Sequence, residues 1–201
     1  MRARVRFLLS FLFIAGGTCL VCLGALEYLD SRIGQSQAAR EFEQPVPDTP
    51  ATRSAAQPAA LHPVRVGDTF AKLKIPRLDA ELYVVEGDGA RELRRGPGHL
   101  AGTALPGAQG NCVIAGHRDT HFRVLKDIRL GDDIVLQTST GQYLYRVKRT
   151  RIVSPENTSA LDPTSNAELN LITCYPFYYV GSAPKRFVVE AQLAGSVQRP
   201  S

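Results

Sequence analysis

The sequence predicts a mostly β domain, folded as a sandwich or closed barrel and carried behind one N-terminal membrane-spanning helix. Three observations support this. An uncharged run of 20 residues, positions 7–26, follows three arginines. Residues 31–63 are rich in Ala, Gln and Pro and poor in large apolar side chains. From residue 64 onward, short apolar or alternating runs recur, with Gly or Pro at every junction.

The N-terminus opens with Arg2, Arg4 and Arg6 and then carries no charge from 7 to 26. About 20 helical residues cross a hydrocarbon core of about 30 Å. A cleaved signal sequence has a shorter apolar core, about 7–15 residues, before a small-x-small site. Here the run continues into "EYLDSRIG" instead. The expected organisation is a basic cytoplasmic start at 1–6 and an uncleaved anchor at 7–29. Arginines ahead of a span stay on the cytoplasmic side. The chain is therefore expected to be a single-pass protein of the cytoplasmic membrane, with everything after the anchor outside. Cys19 and Cys22 have the spacing of a redox or metal pair. Inside an apolar helix, one turn apart, they read as small helix-surface residues.

Residues 30–63 cannot bury enough apolar surface to offset their ordering entropy. They are expected to form a linker, an extended stalk whose start continues the membrane helix. The folded domain is expected at 64–195, with a short tail at 196–201. Within it, "FAKLKIP" and "AELYVVEG" are short strand-like runs, and "NCVIAGH" is apolar on both faces, as a buried strand is. "DDIVLQTSTGQYLYRVKRTRIVS" reads as strand, turn, strand with period-two alternation. "ELNLITC" and "KRFVVEAQL" complete the set. Helical signal is confined to "GARELRRG" and "HFRVLKDI". Many short strands between turns fit a sandwich or barrel, and about 130 residues can enclose one core.

Composition is that of an ordinary folded protein: 44% apolar, 21% charged, net charge +5 and no Trp. The basic residues are scattered beyond the first six positions. With neither a basic stripe nor interleaved aromatics, no nucleic-acid partner is expected.

The chemistry centres on "LITCYPFYYVGSAPKRFVV". A hairpin turning near Val180 and Gly181 would set Cys174 opposite Arg186, with Cβ atoms about 4.5–5.5 Å apart. A free cysteine has a pKa of about 8.5, and a permanent neighbouring cation favours its nucleophilic thiolate. The guanidinium also offers a fork of donors to a developing oxyanion. A proton carrier must then come from the four histidines. His62 lies in the linker and is expected to be solvated, and His121 is expected to be exposed on a short helical piece. His117 ends the buried strand "NCVIAGH", and His99 follows a Gly-Pro turn. Spacing alone leaves His117 and His99 in competition, with a purely structural role equally open. Cys112 reads as a small buried hydrophobe.

"VIAGHRDTHF" together with "LITCYPFYYVGSAPKRF" resembles the sortases, membrane-anchored cysteine transpeptidases of bacterial envelopes. The extended second block and "GPGHLAGTALPGAQGNCVIAGHRDTHF" look most like the class D type. The resemblance implies a closed eight-stranded β-barrel with short helices. It also implies Cys174 as nucleophile, His117 as general acid/base and Arg186 as oxyanion stabiliser. Thr173, directly before the nucleophile, is implied as substrate-binding, with no cofactor and no metal. The family signature is Thr-Leu-x-Thr-Cys; this chain has "NLITC", so Asn170 stands where the first Thr is usual.

The implied reaction is attack by Cys174 on a sorting signal of Leu-Pro-x-Thr-Gly/Ala type, followed by resolution of the thioester by an amine. The implied partners are exported proteins carrying the signal, an amine acceptor (a peptidoglycan precursor or a protein lysine) and the membrane. By analogy, signal recognition is expected in the groove beside "RIVSPENTSALDPTSNAEL". Three other readings make different predictions. A Cys/His endopeptidase would release an acid instead of an amide. A tethered binding module would have an unreactive Cys174. A thiol–disulfide protein would pair Cys112 with Cys174.

Overall fold

The computed structural model describes residues 2–43, 64–179 and 181–198. Eight strands form a closed barrel: β1 Thr69–Ile75, β2 Ala80–Glu86, β3 Gly98–His99, β4 Gly110–Gly116, β5 Asp133–Thr138, β6 Gly141–Val153, β7 Ala167–Tyr175 and β8 Lys185–Gln198. Their order around the barrel is β1-β2-β3-β4-β7-β8-β6-β5. This is the closed eight-stranded barrel that the resemblance implies. β8 continues past residue 195, where the domain was expected to end, because β6 is long enough to pair with it as far as Gln198.

The strands follow the pleat. In β4, Cys112 and Ile114 face the core; in β7, Leu169 and Leu171; in β8, Val189 and Ala191. Residues of the other parity on these strands therefore face outward. β4 and β7 run parallel, from Gly110↔Ala167 to Gly116↔Thr173. A parallel neighbour needs a long crossover, and here β5 and β6 supply it. A 3-10 segment, His121–Asp127, follows β4 and inserts Phe122 and Leu125 into the barrel. The Phe122 ring lies so close to β4 that a Cβ on Gly116 would come within 2.7 Å of it.

Helix α1, Arg2–Glu43, is continuous over 42 residues. Its segment Leu9–Glu43 is long and apolar enough to cross a membrane. The start of the expected linker thus continues the apolar helix as far as Glu43, and it touches the barrel. Residues 31–43 contain no Pro and are mostly good helix formers. Ser31, Gly34, Gln35, Ala38, Ala39 and Phe42 fall on one stripe at three- and four-residue spacing, the covered face of an amphipathic helix. Gln35 grips the backbone of β2 and of helix α2, Ala90–Arg95: its Nε2 donates to Tyr83 O (3.1 Å) and Arg95 O (2.8 Å), and its Oε1 accepts from Tyr83 N (2.8 Å). Gly34 lies against Arg95, where a Cβ would meet Arg95 Cα at 2.8 Å. Glu41 accepts from Thr69 Oγ1 and from Arg95 Nη2. The rest of the expected linker, 44–63 with His62, lies outside the described residues.

Candidate active site

Three adjacent strands, β4, β7 and β8, supply the site. Cys174 on β7 is paired in register with Arg186 on β8, as the hairpin reading expects. On the other side, the parallel ladder ends at Gly116↔Thr173. The next residue on each strand is His117 and Cys174, and neighbouring strands are about 4.8 Å apart. His117, Cys174 and Arg186 therefore form one row across the outer face. His117 is exposed, and Cys174 and Arg186 are half-buried. Arg186 Nη1 donates to Ala183 O (3.3 Å) and Lys185 O (3.1 Å), and its charge also reaches Glu156.

Thr173 does not share this face. It is buried, and its Oγ1 donates to Gly116 O at 2.7 Å. The hydroxyl expected at the substrate instead ties together the two strands that carry His117 and Cys174.

The competing histidines have other surroundings. His99 is buried across β4 from β7, with Nδ1 2.6 Å from Glu86 Oε2 and Nε2 3.0 Å from Thr103 Oγ1. Both ring nitrogens are engaged inside the fold. The expectation of an exposed His121 is overturned. Its segment is pulled inward by Phe122 and Leu125, leaving the imidazole 5% exposed, with Ser31 Oγ of α1 at 3.4 Å. Burial lowers its pKa below the ordinary 6.5.

Cys112 is a buried core residue whose thiol burial pushes up to about 12. It pairs with Leu169, five residues back along β7 from Cys174. Five strand residues span about 17 Å, against the roughly 4–7 Å between Cα atoms that a disulfide tolerates. Both thiols are free, so the disulfide reading fails on distance.

Behind the row, Ala115, Ile172 and Val188 continue the outer face, then Val113, Asn170 and Glu190. The β6–β7 connection, 154–166, covers its far end. Asn111 Nδ2 donates to two carbonyls of that connection, Ala160 O at 2.9 Å and Asp162 O at 3.0 Å. Asn170 Nδ2 donates in turn to Asn111 Oδ1 at 2.7 Å. Arg151, which bonds Glu190, also reaches Ser159 Oγ at 3.1 Å. A model of the sortase domain matches residues 73–194.

The chain belongs to the sortase family. Sortases are cysteine transpeptidases that anchor proteins to the cell wall, and this protein is an enzyme of that kind. It is 34% identical to sortase D of Bacillus subtilis (strain 168) over 183 residues, 88% of this chain and 92% of that protein. Sortase E1 of Streptomyces coelicolor, solved with a tripeptide in its active site, is 31% identical with a TM-score of 0.59. The match covers 66% of this chain and 92% of that one. A Clostridium perfringens sortase D5 transpeptidase shares the fold at a TM-score of 0.65 and 23% identity, covering 83% and 99% of the two chains.

Two residues of this sortase escaped the sequence reading. Arg118, next to His117, sends Nη2 to Tyr179 O (2.8 Å) and Gly181 O (3.0 Å) and lies over the Tyr179 ring. It fastens the β7–β8 connection to the end of β4. Asn111 holds the β6–β7 connection. The run "HRDTHF" shows a cation after the histidine, but nothing local tells that it reaches 61 residues ahead.

Proposed function

We propose that this sortase cleaves a sorting signal of Leu-Pro-x-Thr-Gly/Ala type and transfers the acyl part to an amine, with Cys174, His117 and Arg186 as its reacting groups. The observation that carries this reading is their alignment in one row on three neighbouring strands. In the first half, the Cys174 thiolate adds to the carbonyl carbon of the scissile peptide bond. The oxyanion that forms is met by the Arg186 guanidinium from the opposed strand. His117 protonates the leaving nitrogen, the C–N bond breaks, and a thioester remains on Cys174. In the second half, His117 takes a proton from an incoming amine, which attacks the thioester and releases the thiolate. This is two-step covalent catalysis. Water in place of the amine yields an acid, the endopeptidase outcome.

The extended signal is accommodated along the outer face behind Cys174, under the 154–166 connection. Thr173 contributes through the strand tie to Gly116. The acceptor is an amine of a peptidoglycan precursor or of a protein lysine, and the protein donors are exported chains. Residues 7–29 cross the cytoplasmic membrane with 1–6 inside and the barrel outside, a reading supported by the arginines before the apolar run.

Full-length protein in detergent micelles, mixed with sorting-signal peptides and a primary amine, tests the proposal by intact-mass spectrometry. An adduct that requires Cys174, and an amide product that requires Cys174, His117 and Arg186, is expected. An amide product that survives Cys174→Ala would overturn it.

A further inference from the structure

We infer that the barrel is seated directly on the outer membrane surface, with the 3-10 segment His121–Asp127 and the β7–β8 connection lying against anionic lipid headgroups. This rests on the reading of α1 as a membrane anchor. The apolar run ends at Leu26, and Glu27 is the first carboxylate. Ser31, the first α1 residue seen touching the barrel, follows five residues after Leu26, a helix rise of about 7.5 Å. The headgroup layer beyond the hydrocarbon is about 5–8 Å thick on each side. Ser31 therefore stands at the outer edge of the headgroups, and its hydroxyl meets His121. Gln35, Gly34 and Glu41 hold the next three turns of the helix to the barrel, so the domain cannot swing away on a loose stalk.

The elements placed at that level have interfacial chemistry. Arg123 and Lys126, both exposed, extend from the 3-10 segment to the Tyr178 ring, at 5.3 and 5.5 Å from its centroid. Tyr178 is 67% exposed, and Tyr179 beside it is 48% exposed. Among the described residues, no carboxylate hydrogen-bonds Arg123 or Lys126; Lys126 Nζ donates to the Tyr178 hydroxyl at 2.9 Å and lies 3.8 Å from Asp127. Tyrosine rings concentrate at membrane–water interfaces. Lys and Arg close to an anionic leaflet are each held there by about five-fold in binding. The surface falls within a few residues of His117, since Phe122 N donates to His117 O at 2.9 Å. Substrate and acceptor would then be met at the membrane face.

The chain has no Trp, so Tyr178→Trp supplies a single fluorescent reporter. The full-length variant is reconstituted into vesicles of phosphatidylcholine alone or mixed with phosphatidylglycerol. Seating predicts weaker quenching by an aqueous quencher in the anionic vesicles than in the zwitterionic ones. It also predicts that Arg123→Glu with Lys126→Glu restores quenching to the zwitterionic level. Quenching in the anionic vesicles as strong as in detergent micelles, with the protein resistant to alkaline extraction, overturns the seating and leaves the anchor intact. A chain that alkaline carbonate strips from the vesicles overturns the anchor reading and the seating with it.

Discussion

Cys174 of β7 and Arg186 of β8 are directly opposed partners in an antiparallel ladder, and the pairing runs unbroken from Glu168↔Gln192 to Tyr175↔Lys185. The thiol and the guanidinium therefore share one outward face by register alone. Arg186→Ala is expected to lower kcat by about 10²–10³, the usual cost of removing an oxyanion donor. Arg186→Lys keeps the charge but loses the fork, and should recover only part of the rate. Because the bonds Arg186 makes to Ala183 O and Lys185 O are at the half-exposed end of β8, thermal midpoints should barely move. A variant that changes KM while leaving kcat intact would count against the role.

The two thiols of the barrel should differ sharply. Iodoacetamide at pH 8 is expected to label Cys174 and to leave Cys112 unmodified until the chain is unfolded, read by peptide mapping. Burial holds the Cys112 thiol above its ordinary 9.0, at about 12. Its contribution to stability is whole below pH 9 and is lost as pH rises toward 12, because the unfolded chain ionises first. Denaturation above pH 9 should be milder in Cys112→Ala than in the parent, once each is referred to its own stability at pH 7.

Asn111→Ala removes both donors to the 154–166 connection and leaves the Asn170 amide without its acceptor. Stability should fall by about 1–3 kcal/mol, the cost of stranding buried polar groups. Hydrogen exchange in 154–166 should accelerate, and KM for the signal peptide should rise more than kcat falls. Unchanged exchange in that segment would show that other contacts hold it.

His121 joins α1 to the segment that follows His117. Burial is the main cause of its lowered pKa, opposed by bonds toward the Arg94 and Leu93 backbone and by Asp119; the His117 charge lowers it further. The folded state therefore favours neutral imidazole, whose contribution is full above pH 6.5 and is lost as pH falls below it. Stability of the full chain in micelles should decline between pH 7 and 5, and His121→Asn should flatten that slope. An equal slope in both proteins would place the acid sensitivity elsewhere.

Much of this protein could be read from local pattern. Alternation in "YLYRVKRTRIV", the apolar "NCVIAGH" and the turn signals between runs identify strands, because a half-buried pleat imposes a period of two. The opposition of Cys174 and Arg186 was legible too, since a hairpin converts separation along the chain into register. The uncharged run after three arginines marks a helix able to cross a membrane, because its length and apolarity are local properties.

The rest depended on contacts between distant segments. His117 comes beside Cys174 only because β4 and β7, 57 residues apart at Gly116 and Thr173, run parallel after the β5–β6 crossover. That closure also separates His117 from His99, burying the His99 ring against Glu86 and leaving His117 exposed. His121 looked solvent-facing because its helical piece is short and polar at its edges, yet two apolar neighbours draw it inward. The docked end of α1 was hidden by composition: its covered stripe is Ser, Gly, Gln and Ala with a single large apolar residue, Phe42, at its end. Such a stripe buries little on its own, and its specific contacts, Gln35 to backbone and Phe42 to Tyr83, need partners that exist only once β2 and α2 are in place.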